Sequence, residues 1–347
     1  MHGAMRILVL GGTAWVGREV VGEALRRGHD VTALARGEAG APPDGARFVR
    51  ADRDAPDAYA AVTGEDWDAV VDLATHPGHV RAAASVLAGR ARHVVYVSTC
   101  SVYLRANEGG TGDLGADESA PVHPALAADT MASLEEYGAA KVACEEAVRS
   151  AFGEARSFIA RPSLIGGPGD PSQRTTYWPA RFAHPSNPER QVLVPDTPDR
   201  PTQVTDVRDL AAFLVEAAER RFTGIANVTG ETLPFSEHLS IAQRAVGWSG
   251  TLVAADEAWI AEREVGYWAG PRSLPLWLPT ELVALAAHDS SRAVALGLRR
   301  RPLEQTLRDG ADQAAADAVA GPTTGERRAG LTDDAERALL AELAADA

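Results

Sequence analysis

Tyr137 and Lys141 stand four residues apart in Tyr-Gly-Ala-Ala-Lys, one helical turn, and therefore on one face of a helix. The pair can do proton chemistry. An unperturbed phenol, with a pKa of about 10, is a poor base at neutral pH. An ammonium within a few ångströms favours the phenolate and lowers that value by roughly 1–3 pH units. A tyrosine tuned in this way gives or takes the proton of a substrate hydroxyl. Thr99 follows the apolar run His93–Ser98, and its hydroxyl can bond the same oxygen and hold it in line. Alone, the pair carries little, because Tyr and Lys one turn apart are common on solvated helix faces. What precedes it in the chain gives it weight.

The first half of the chain alternates short β-rich runs with helical stretches, the pattern of a parallel α/β sheet. Arg6–Leu10, Val31–Ala35, Arg47–Val49, Ala69–Leu73 and His93–Ser98 read as five strands. Most are largely apolar rather than alternating, as strands covered on both faces are. Helices are predicted over Trp15–Arg27, closed by Gly28, and over Leu134–Phe152, with a sixth strand from Ser157–Ala160. Directly after strand one comes Gly11-Gly12-Thr13-Ala14-Trp15-Val16-Gly17, which opens the first helix. A pyrophosphate bound there needs a tight turn, close backbone approach and the N–H groups at the helix start. Gly11 and Gly17 meet the first two needs, while Ala14 stands where a second close-approach glycine is usual.

Strand two ends Val-Thr-Ala-Leu-Ala-Arg-Gly, with no carboxylate and with Arg36 available. A free ribose 2′-hydroxyl calls for an acidic partner and a 2′-phosphate for arginine, so NADP(H) is favoured over NAD(H). Asp52 and Arg53, just past strand three, are expected near the adenine. Leu73, which ends strand four, and Ala74 and Thr75 after it are expected to bind the cofactor, at the edge where such sheets take ligands.

From Gly166 the character changes to Pro, Gly and polar residues with an aromatic cluster at Tyr177, Trp178 and Phe182. The expected architecture is an α/β Rossmann-type doubly wound parallel sheet with a smaller C-terminal substrate-binding domain. Residues 1–165 form the sheet domain, which the chain rejoins at about 203–230. Residues 166–202 and 231–310 form the substrate domain, and 311–347 a linker and a final helix over Thr332–Leu343. A net charge of −14 over 347 residues argues against a nucleic-acid partner. No apolar run reaches the roughly 18 residues of a membrane span, and no signal peptide opens the chain. A cytoplasmic protein with a small-molecule substrate is expected.

Four segments, GGTAWVG, VSTCSVY (Val97–Tyr103), YGAAK and ARPSLIGGPGD (Ala160–Asp170), together resemble the extended short-chain dehydrogenase/reductase superfamily, in its NAD-dependent epimerase/dehydratase-like branch. The resemblance runs from Arg6 to about Asp309. It implies catalytic roles for Thr99, Tyr137 and Lys141, and a nicotinamide lined by Pro162, Ser163, Leu164 and Ile165. It also implies a homodimer built through the Tyr137 helix. The chain departs from the pattern in three ways: Ala14 in the glycine turn, a long insert at Asn107–Ala120 expected as a flap over the site, and Cys100-Ser101 after Thr99. Family dehydratases place Asp-Glu there, which argues against a sugar-nucleotide 4,6-dehydratase.

Cys100, Ser101, His76, Tyr177 and Trp178 are candidates for contact with substrate. Free cysteines are commonly buried, so Cys100 is read as packing rather than as a nucleophile. His76 and His79 have no third ligand nearby, so no metal is expected. The tryptophans at 178, 259, 268 and 277 either wall an aromatic pocket or form the core of the smaller domain. The leading reading is an NADP(H)-dependent carbonyl reductase or alcohol dehydrogenase. The alternatives are a nucleotide-sugar epimerase with tightly held NAD, and a non-catalytic nucleotide-sensing or RNA-binding relative.

Overall fold

In the computed structural model the described residues are 3–110, 112–320 and 329–346. The elements run β1 Arg6–Leu10, α1 Trp15–Arg26, β2 Asp30–Ala35, β3 Arg47–Arg50, β4 Ala69–Asp72 and α2 Pro77–Leu87. There follow β5 Val94–Val97, α3 Tyr137–Phe152, β6 Ser157–Pro162, β7 Leu164–Gly166 and α4 Tyr177–Ala183. Next come β8 Gln191–Pro195, β9 Pro201–Asp206, α5 Val207–Arg220, β10 Gly224–Val228, β11 Thr232–Pro234, α6 Phe235–Ala245, β12 Thr251–Ala255 and α7 Glu257–Glu262. The last helices are α8 Ser291–Leu296, α9 Leu303–Ala320 and α10 Asp333–Asp346.

These elements divide into two compact units. One holds the chain up to Ser163 with Val207–Thr229 and His288–Arg299; the other holds Leu164–Asp206, Gly230–Ala287 and the chain from Arg300. The first unit is built on a seven-stranded sheet of order β10-β6-β5-β4-β1-β2-β3, parallel throughout. Its central strands are buried, β4 and β5 completely and β1 from Ile7 on, as the unbroken apolar runs required. Strand order reverses between β1 and β4, which opens a crevice at their carboxyl ends. On one sheet face, Leu8, Leu34, Val70 and Tyr96 pack with Val80, Ala84 and Leu87 of α2 and Cys144 and Val148 of α3. Burying each large aliphatic chain contributes roughly 1.5–3 kcal/mol.

The second unit has a three-stranded sheet, β11-β9-β7, and a parallel pair, β8 with β12. Its core gathers Trp178, Phe182, Leu193, Phe235 and Trp277. Buried Arg181 of α4 meets Glu336 at 3.3 Å and Asp333 at 2.7 Å, and also donates to Leu331 O, which fastens α10.

Several expectations are corrected. Residues 311–320, read as linker, continue α9, because their alanines favour helix even without a strong apolar stripe; residues 321–328 of that linker lie outside the described residues. His288–Arg299, read as substrate domain, belongs to the first unit, where α8 packs on β10. The long helix starts at Tyr137, preceded by a single 3₁₀ turn at Leu134–Glu136. The insert is tied down at its far end rather than free: Glu118 accepts from Asn227 N at 2.7 Å, and Ala116 O accepts from Asp289 N at 3.0 Å. No helix among the described residues is long and apolar enough to cross a membrane.

Candidate active site

The glycine turn sits in the crevice between β1 and β4. Gly11 has φ of +95°, open to glycine without strain. A Cβ at Gly17 would run into the carbonyl of Gly11, so α1 and the turn touch backbone to backbone. Thr13 is buried beneath, while Trp15 and Val16 are half-buried. Ala14 is the N-cap residue of α1, and it is exposed. No side chain caps the helix and no acid lies in its first turn, so its positive end is left for an anion.

At the end of β2 the Arg36 guanidinium is exposed and pairs with Glu38 at 3.0 Å. Arg50 donates from Nε to the Arg36 backbone O at 2.9 Å, which brings a second guanidinium to the end of β2. Asp52 is exposed and caps its own turn through Asp54 N. Arg53, expected near the adenine, turns inward instead. It grips Asp72 through two bonds of 2.7 and 2.9 Å and also reaches Tyr59 Oη and His79 O. Burial opposes that charge, and the Asp72 carboxylate outweighs it. His76 meets His79 edge to face at 5.5 Å, and His79 Nε2 lies 2.6 Å from Asp54. Both rings thus belong to the start of α2.

The ends of β4 and β5 are joined by Lys141. Its side chain is only 2% exposed, and Nζ donates to Ala74 O at 2.9 Å and to Val97 O at 2.6 Å. Burial pushes its pKa down to about 8, against the upward pull of Cys144, Asp72 and Glu145. Leu73 N bonds Leu10 O of β1; Thr75 O accepts from Cys144 Sγ, so that with Lys141 on Ala74 O, α3 pins the loop after β4 twice. Tyr137, half-buried, is the first residue of α3. Thr99 caps the 3₁₀ turn Cys100–Val102: its Oγ1 accepts from Ser101 N at 3.1 Å and donates to Ser101 Oγ at 3.2 Å. Cys100 is buried with its thiol on Arg161 O, and burial raises its pKa far from thiolate chemistry.

Pro162 ends β6 and Ser163 follows it in the first unit, whereas Leu164 and Ile165 open β7 in the second. Tyr177 and Trp178, expected against substrate, are core. Trp178 is fully buried, with its indole N–H satisfied by Pro275 O at 2.8 Å and its ring against Phe235. Trp277 is likewise buried, and Trp259 and Trp268 pack on the same cluster.

The family model described as NAD dependent epimerase/dehydratase matches residues 7–229. The chain belongs to that family. Its members include oxidoreductases and epimerases of short-chain dehydrogenase/reductase type, and it is an enzyme of that kind. A 2′-dehydrokanamycin reductase of Streptomyces kanamyceticus is 36% identical over 155 residues, 44% of this chain and 40% of that protein. The match thus spans about two fifths of that relative's length. In fold, the chain is similar to a Thermotoga maritima UDP-glucose 4-epimerase solved with UDP-glucose, with TM-score 0.65 and 15% identity over 90% of this chain and all of that one. It is also similar to a Bacillus cereus UDP-glucuronic acid 4-epimerase solved with NAD, with TM-score 0.63 and 18% identity over 90% and 99%.

Within the family span lie features that sequence reasoning missed. Lys141 is the only lysine in the chain: of 34 Lys and Arg residues every other one is arginine. That signal was open to a residue count. Gly138, beside Tyr137, packs on the turn after Thr99: a Cβ there would strike Ser101 O and stand 2.7 Å from His123. Glu145, a turn beyond Lys141, is held by Arg161 through two bonds of 2.9 and 2.7 Å and accepts from Ser98 Oγ at 2.5 Å. Arg161 also reaches Tyr103 Oη, which donates to Asn227. No local pattern marks these pairings, since each joins residues far apart in the chain.

Proposed function

We propose that the chain is an NADP(H)-dependent reductase, reducing a carbonyl of a small metabolite to an alcohol or running the reverse, through Thr99, Tyr137 and Lys141. The observation that carries the reading is a buried ammonium, fixed on carbonyls at the ends of β4 and β5, one turn beyond a tyrosine. An exposed structural lysine would not accept the cost of that burial.

The residues present fit a dinucleotide. The backbone-packed Gly11–Gly17 turn and the uncapped start of α1 would hold the pyrophosphate, and Arg36 the 2′-phosphate. Leu73, Ala74, Thr75 and Ser163 are assigned to the nicotinamide end. When bound, the nicotinamide supplies or accepts a hydride. Tyr137 delivers the proton to the carbonyl oxygen, and Lys141 keeps the resulting phenolate stable. The Thr99 hydroxyl exchanges its Ser101 acceptor for the substrate oxygen and holds it in line. The reductase named among the relatives supports the same direction. The two buried unpaired thiols support a reducing, cytoplasmic setting.

The test is spectroscopic. Consumption of NADPH in preference to NADH with a panel of carbonyls, 2′-dehydrokanamycin first, is expected. Tyr137→Phe should cut turnover at least about 100-fold with NADPH affinity within about twofold. Undiminished turnover in that variant rejects the assignment. Purification with tightly held NAD and no net turnover points to the epimerase instead.

A further inference from the structure

An ammonium brought out of water needs replacement for its hydration. Lys141 finds two carbonyls, Ala74 O and Val97 O, and a third support that neither carbonyl supplies. Its Nζ stands 4.4 Å from the ring centroid of Tyr96, a β5 residue with no exposed surface. The negative face of an aromatic ring attracts a cation, most strongly where water is excluded. The same tyrosine acts a second time: its hydroxyl donates to Ala74 O at 2.9 Å, the oxygen that Lys141 also uses. One side chain therefore floors the ammonium and fixes one of its two acceptors.

We propose that Tyr96 is the positioning residue for Lys141, its ring face and the Ala74 carbonyl that it anchors holding the ammonium one turn from the Tyr137 phenol. This rests on the reading of Lys141 as the partner of Tyr137. The other charged and titratable groups around the ammonium are Asp72 from β4, Arg53 gripping Asp72, and Cys144 and Glu145 from α3 itself. None of them lies on β5. Tyr96 is the β5 contribution, and it works without a charge.

Because Lys141 is the sole lysine, protein grown with ¹³Cε-lysine gives one signal, whose titration reads this ammonium alone. The cofactor-free protein with Tyr96→Phe is compared with protein carrying 3,4,5-trifluorophenylalanine at position 96. The two rings fill nearly the same space, but fluorination strips the negative face. The Phe ring keeps the negative face but loses the hydroxyl that anchors Ala74 O, so it is expected to lower the midpoint by about 0.3 pH unit. The fluorinated ring should lower it by roughly half to one unit, a three- to tenfold change in the ionisation constant. Tyr96→Leu should lower it at least as far. Should that variant fail to fold, the Phe and fluorinated pair still decides. Equal midpoints for those two rings would overturn the proposal. A fluorine-dependent midpoint in a protein that never binds NADPH would leave this inference standing and end the dehydrogenase reading; NADPH turnover with equal midpoints does the reverse.

Discussion

At Lys141 burial and charge work against each other, and the conflict is measurable in stability. Its folded value near 8 lies below the ordinary 10.5, so the folded chain binds this proton less tightly than the unfolded chain. The cost is complete below pH 8, where both states are protonated. It is relieved as pH climbs from 8 to 10.5. Lys141→Met is therefore expected to gain up to about 3 kcal/mol at pH 7 relative to its effect above pH 10.5, from the pH-dependent part alone. Chemical denaturation of both proteins at pH 7, 9 and 10.5 checks it; a difference constant across that window contradicts it. Arginine at this position should not restore turnover, because a planar guanidinium does not fit the space of a compact ammonium. That Tyr137 and Lys141 share one helix was legible in the sequence, because Tyr and Lys one turn apart after a strand are a local pattern. The inward turn of Arg53 onto Asp72 was not legible, since the two are joined only by the fold.

The elements set the start of α3 against the Thr99 turn by close packing of backbone. α3 reaches the Thr99 turn because Gly138 lets the helix lie against Ser101 O and His123. Gly138→Ala is expected to force the two apart, costing about 1–3 kcal/mol and lowering turnover more than NADPH affinity. Thermal melting and a fluorescence titration with NADPH separate the two effects. A variant as active as wild type would show that the helix has slack there. The β-strands of the first unit were readable because parallel strands covered on both faces are continuous apolar runs. α9 was misread for the opposite reason: Ala-Asp-Gln-Ala-Ala-Ala-Asp has helix-forming alanines but no clear apolar face, and composition suggested a linker. Pairing of β8 with β12, separated by more than fifty residues, leaves no local trace at all.

For the whole molecule, two units mean two cores. The aromatic cluster of the second was open in the sequence between pocket wall and core, and the satisfied Trp178 indole settles it as core. Trp178→Ala should cost about 3–5 kcal/mol. Hydrogen exchange is expected to rise in α4, which carries it, and in α6, which packs against it through Phe235, and NADPH affinity measured well below the melt should stay within twofold. A large loss of affinity would show that the nucleotide residues of the first unit depend on that core.

Carrying nearly all of its positive charge as guanidinium leaves the protein with no exposed lysine for amine-directed acylation. Acetic anhydride or a succinimidyl ester can reach the one lysine side chain only when α3 lifts from the carbonyls that hold it. The rate at which Lys141 gains an acyl group is thus a clock for breathing of this crevice, readable by mass spectrometry on unmodified protein.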